Sequence, residues 1–168
     1  MYNINETWTE VYDFPGYSIN EVGLVRNDRT GRIMKWTNGN GVPVVGLRRD
    51  GVSYGRQIST LMTQSWFDPP DNHRFNTVVH LDGDRWNCGI DNLVLRPRWF
   101  AIAYHKEMAT DSFSRWSDQF VLVETNELFN HPKEAAAKYG LLQKDIVMSL
   151  MDQRDRHVFP GAWTFEWV

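Results

Sequence analysis

The alternation of apolar and polar positions changes period several times along the chain, and each change marks an element. Around residues 17–19 and 23–26, short runs alternate apolar with small or polar residues between Pro, Gly and Asn-Asp breaks, which predicts short antiparallel strands. Two longer runs, 42–47 and 52–56, flank Arg48-Arg49-Asp50-Gly51, and Asp-Gly between such runs predicts a tight hairpin. Residues 57–66 place Ile58, Leu61, Met62 and Ser65 at helical spacing, and Asp68-Pro69-Pro70 ends the helix.

A β-branched run over 77–80 then ends on His80. Asp82-Gly83-Asp84 forces a turn, a loop extends over 81–90, a second strand covers 92–95, and a helix covers about 99–108. Ser and Asp make 111–117 a linker. Beyond it the pattern predicts a strand over 119–124, a turn at Thr125-Asn126-Glu127, a helix begun by Pro132 and broken by Gly140, and a second helix over 143–151. The tail from Gly161 to Trp167 alternates aromatics with Thr164 and Glu166, as a strand able to pair with 119–124. The fold class is therefore α+β. Boundaries fall at 1–70 (β-rich with a covering helix), 71–110 (a strand-strand-helix core), 111–118 (linker) and 119–168 (helix, turn, helix between two strands).

Composition narrows the function classes. At 168 residues, with 14% aromatic residues and 8 Trp, the chain has enough apolar bulk for several small cores. No apolar run approaches a membrane span, and the start, Met-Tyr-Asn-Ile-Asn-Glu-Thr, lacks the basic and apolar stretches of a signal peptide. The single cysteine, Cys88, excludes an internal disulfide and a zinc site of several thiolates, so a reducing cytoplasm is expected. Net charge is -3, an unusual balance for a protein that holds DNA, so any such grip must come from local basic patches.

The candidate chemistry gathers at 77–92. His80 sits where a strand gives way to a structured loop, a place that fixes an imidazole while leaving one face open to substrate and water. Asn87 and Asn92 follow at the spacing of a loop that closes on itself. Arg96-Pro97-Arg98, just before the next helix, is expected to set two cations beside the histidine, suited to a phosphate backbone. Arg48, Arg49 and Arg56 sit on the hairpin, either as groove-reaching contacts or as a solvated turn. Cys88 reads as a small buried apolar group.

These residues resemble the core of the HNH nucleases: a histidine ending the first strand, here His80, an asparagine organising the loop, here Asn92, and a context of His-Leu-Asp-Gly-Asp before Asn-Leu. Trp8, Pro15-Gly16-Tyr17, Asn20, Gly23 and Val25-Arg26 resemble the modular motif that accompanies HNH homing endonucleases. Glu134-Ala-Ala and Tyr139-Gly140-Leu141 resemble the DNA-binding repeat that follows the nuclease core in phage-type members.

The resemblance implies a ββα-metal core, duplex DNA as partner, and nicking or hydrolysis with His80 as general base and Mg²⁺ or another divalent metal. It also implies a helix-turn-helix in which Gln143, Lys144 and Ser149 face the major groove, the alternative being an αα-hairpin used only for packing, and, for a phage-encoded protein, the host cytoplasm. Two positions depart from the pattern. The residue before the histidine is Val79, and the position of the third family residue falls on Ala101. His105, one helical turn or ~6 Å further along, and Asp82 are the substitute metal ligands. The alternatives are a half-buried histidine and a turn aspartate. A catalytically degenerate relative, binding DNA or a protein such as a nucleic-acid enzyme, stands beside the nuclease reading.

Overall fold

The computed structural model describes residues 7–110, 112–152 and 157–168. Asp111, where the expected linker begins, and residues 1–6, which carry most of the expected leaderless start, lie outside the described residues. Among the described residues, no helix is long and apolar enough to cross a membrane.

Compactness divides the chain into two units, one of residues 1–80 and 84–96, the other of residues 81–83 and 97–168. The first opens with β1 (Trp8–Glu10), β2 (Tyr17–Asn20) and β3 (Val25–Asn27), an antiparallel sheet in the order β1-β2-β3. A second sheet joins β4 (Thr37–Asn38), β5 (Pro43–Arg49) and β6 (Val52–Gln57). The β5–β6 turn has positive φ at both Asp50 (51°) and Gly51 (80°), the backbone that Asp-Gly favours and that matches strand twist. Helix α1 (Ile58–Trp66) follows, then the antiparallel pair β7 (Thr77–His80) and β8 (Leu93–Arg96). A short 3-10 turn, Ile90–Asn92, leads into β8, so this strand begins one residue later than the sequence pattern suggests.

The expected boundary at residue 70 does not coincide with the compact units, and the packing gives the reason. Val45 and Leu47 of β5, Ile58, Leu61 and Met62 of α1, and Cys88 and Leu93 of the hairpin share one apolar core. Gly23 makes this possible. Its φ is 90°, and a Cβ there would lie 2.9 Å from Ile58 Cγ2 and 3.4 Å from Cys88 Cβ. The loop is also stitched to the first sheet's turn, Ile90 N–H donating to the Glu21 carbonyl at 2.9 Å.

The second unit contains α2 (Arg98–Ala109), β9 (Phe120–Leu122), β10 (Glu127–Phe129), α3 (Pro132–Tyr139), α4 (Gln143–Met151) and β11 (Phe165–Trp167). The tail strand pairs with β9 as expected, Phe165 opposite Leu122 and Trp167 opposite Phe120. Strand β10 begins on Glu127, which the sequence places in a turn; the turn lies earlier, with Asn126 at φ 55°. The reason is cross-strand packing, since Phe129 pairs with Phe120. Helix α3 starts as its sequence dictates, with Pro132 in the first turn and His131 Nδ1 accepting the Lys133 N–H at 3.0 Å. Gly140 ends it in the left-handed region at φ 63°. The core of this unit is Phe120, Leu122, Phe129, Ala135, Ala136, Leu141, Ile146, Leu150, Val158 and Phe165.

Candidate functional site

In the first unit, β7 carries its β-branched residues up to His80, which lies opposite Leu93 at the loop end of the β7–β8 ladder. Asn92 immediately precedes that partner. Its side-chain amide donates to the Asn87 carbonyl at 2.8 Å, and its own N–H donates to the Gly89 carbonyl at 2.9 Å. Asp84 Oδ1 accepts the Trp86 N–H at 2.9 Å, a local turn bond that fixes the start of the same loop. Histidine and both asparagines therefore belong to one tied loop. The side chain of His80 is only 4% exposed. This corrects the expectation of an imidazole open on one face: the strand end is covered.

Val79 is fully buried. Arg96 sits opposite Thr77, three residue pairs from the His80–Leu93 pair and so ~10 Å along the ladder at ~3.3 Å per residue. The sequence sets Arg96 close to the histidine; antiparallel pairing puts it at the other end. Cys88 is buried within this loop, and burial raises its thiol pKa to about 11. At pH 8 only roughly one thiol in a thousand is then ionised. Alkylation of Cys88 by iodoacetamide is expected to be negligible in the folded protein and rapid in denaturant, measured by mass shift against time.

The arginines of the β5–β6 ribbon divide between its faces. Arg48 is exposed. Arg49 is not displayed at the tip as expected: it pairs with Asp13, donates to the Asp13 carbonyl at 3.2 Å, and stacks over Phe14 and Tyr54 at 5.4 and 5.2 Å. Asp13 also holds the Arg49 guanidinium in its charged form, raising its pKa. Arg56 covers the same two rings at 5.3 and 5.0 Å. The partner Asp13 lies 36 positions away in sequence, so no local signal marks the pair.

In the second unit, Asp82 is exposed in the segment 81–83, whose Leu81 carbonyl accepts the Tyr104 hydroxyl at 2.5 Å. Helix α2 buries Phe100, Ala101 and Tyr104 on one side. Ala101 thus fills an interior position with a methyl group. His105 is half-buried with its ring against Tyr104, centroids 6.2 Å apart, and Arg98 is exposed. Tyr104, which the sequence did not single out, is the residue that ties α2 to the turn after the histidine.

Helix α4 also departs from the expected arrangement. Gln143 and Ser149 are 2% and 6% exposed, not on the outer face. Gln143 donates to the Glu107 carbonyl at 3.2 Å, and both residues fall in the stripe of Ile146 and Leu150. Lys144, Met148 and Met151 form the exposed side. Beside the α4 start, burial raises the pKa of Glu107, while its carboxylate accepts the Lys144 N–H at 3.4 Å.

The donors for a divalent metal are sparse. Val79 and Ala101 offer none, and among the described residues no three His, Cys, Asp or Glu side chains gather in a metal-holding group. The residues present do not make a complete cage for such an ion.

No family model matches the chain. Over 86 residues it is 26% identical to a protein of Acanthamoeba polyphaga mimivirus described as an uncharacterized HNH endonuclease, an alignment covering 51% of this chain and 26% of that one. The chain thus spans about a quarter of the relative's length. In fold it is similar to the HNH homing endonuclease I-HmuI, a structure described as DNA binding and cleavage by that enzyme, with TM-score 0.54 and 18% identity over 96% of this chain and 98% of the other. Among the described residues, the mixed α and β architecture with small antiparallel sheets and four α-helices is similar to an HNH endonuclease fold.

Proposed function

We propose that this chain, related to the HNH endonucleases, binds duplex DNA and hydrolyses or nicks its phosphodiester bonds with His80 as general base. The observation that carries the reading is β7 ending on His80 against a loop tied by Asn92. In the step proposed, the imidazole takes a proton from water. The oxygen so freed bonds to phosphorus, the bond to the leaving sugar oxygen breaks, that oxygen takes a proton from solvent water to become a hydroxyl, and the imidazolium returns its proton to solvent. Exposed Arg48, Arg98 and Lys144 are the phosphate contacts of this proposal, and α3, Gly140 and α4 its helix-turn-helix.

Mg²⁺ or another divalent ion enters as a requirement to be measured, with Asp82 and His105 the side chains that would meet it. The test is conversion of supercoiled plasmid to open circle and linear forms with and without EDTA. Metal-dependent nicking supports the reading; an inert protein that still binds duplex leaves a second one. That second reading, a degenerate relative serving as a DNA- or protein-binding factor, is favoured by the buried aliphatic side chains at Val79 and Ala101.

A pair of variants separates the exposed from the buried residues of α4. Lys144→Ala is expected to lower the slope of log affinity against log salt by about one while leaving the thermal midpoint unchanged. Gln143→Ala is expected to lower the midpoint and leave the slope alone, because it removes a buried donor from the Glu107 carbonyl.

A further inference from the structure

Apart from Arg98, the outward side of α2 has no part in the chemistry above, yet it carries two large exposed apolar side chains. Trp99 is 58% exposed and Ile102 is 62% exposed. At 100° per residue, Arg98, Trp99, Ile102 and Lys106 fall within a stripe about 100° wide. Arg98 and Lys106, both exposed, bracket the two apolar side chains over about 12 Å of helix. Trp99 is braced from beside by Phe159, with centroids 5.4 Å apart, and by Phe100 at 5.7 Å, so its ring is held in place while most of it stays in water.

Charge selects the occupant. The stripe has two cations and no carboxylate, and the acid of this helix, Glu107, instead accepts the Lys144 N–H. In a chain of net charge -3 this is a local reversal of sign. A second copy of the chain docking through the same face would bring Arg98 and Lys106 against their own counterparts, like charge on like. A polyanion with apolar surface between its charges fits instead: duplex DNA, whose sugars and base edges lie between rows of phosphates.

We infer that the exposed face of α2 is a DNA-distorting surface, on which Trp99 and Ile102 press into the base stack while Arg98 and Lys106 neutralise the flanking phosphates. Apolar wedges of this kind unstack a base step, and the larger protein–DNA interface that results offsets the cost of opening it. The inference rests on the DNA-binding reading, and its test separates the two.

A duplex selected from a random pool for binding to the wild-type chain is substituted with 2-aminopurine at successive positions. Binding is followed by anisotropy and local unstacking by 2-aminopurine brightening. The wild type is expected to brighten the probe at one step. Trp99→Ala and Ile102→Gln should each abolish the brightening and weaken binding about tenfold. Ile102→Gln alters a largely exposed side chain and is expected to keep the thermal midpoint, so it stands even if Trp99→Ala disturbs the packing against Phe159. Wild-type affinity and brightening in a folded Ile102→Gln overturn the surface and leave DNA binding intact. So does a wild-type dimer that Ile102→Gln dissociates, which assigns the face to a second copy. Failure of the wild type to select any duplex overturns the DNA reading and this inference together.

Discussion

His80→Ala is expected to reduce nicking of duplex DNA by about 10²–10⁴-fold, the range over which a positioned general base contributes, while duplex affinity changes little. The expectation follows from position. The imidazole closes β7, lies opposite Leu93, and borders the loop that Asn92 and Asp84 hold by hydrogen bonds to backbone. Because the side chain is buried, its truncation also leaves a space, and exogenous imidazole added to His80→Ala is expected to recover part of the lost rate. Rescue by imidazole distinguishes lost proton transfer from lost folding, since a misfolded variant would not respond to it. Full activity in His80→Ala would remove the histidine from the chemistry. Equal loss in duplex affinity would recast it as a structural residue.

The largest stability effect is expected in the C-terminal unit. Phe120 is fully buried, and its ring meets Trp116 at 6.0 Å, Phe129 at 5.8 Å and Phe165 at 5.7 Å. It sits on the central strand β9, with Phe129 and Trp167 as its cross-strand partners. Phe120→Ala therefore removes the shared neighbour of both flanking strands. The cost is about 3–5 kcal/mol, the usual range for emptying a buried aromatic site. Urea unfolding followed by hydrogen exchange is the measurement. Loss of protection at β9, β10 and β11 with protection retained in β5 and β6 is the expected pattern, because the two cores share no residue. A shift below ~1 kcal/mol would mean that the site collapses around the missing ring.

Much of the fold was legible because local signals agreed with one another. The β-branched run to His80, Asp-Gly at residues 50–51, Pro132 opening a helix and Gly140 closing it each name one backbone state, and each element formed there. Residues 165–167 pair with β9, as the alternation of aromatics predicts, and Phe165 is buried there. What was not legible depends on partners distant in sequence. Nothing near Arg49 announces that Asp13 will bind it, and nothing in 77–80 states that the imidazole will be covered. Gln143 and Ser149 are a different case: each lies three positions from Ile146, inside its buried stripe, so helical phase rather than polar residue type decides which way they face. Glu127–Phe129 was too short a strand to show a period of its own.

The shared interior of the first unit bears on how such a protein can be rearranged. Cys88 and Leu93 complete a core otherwise built from β5 and α1, and Gly23 leaves the room for them. The arginine-bearing ribbon is therefore not a cassette that can be transplanted at residue 70. Grafted without the histidine hairpin, it would carry an open hydrophobic wound; the smallest exchangeable piece runs to Arg96.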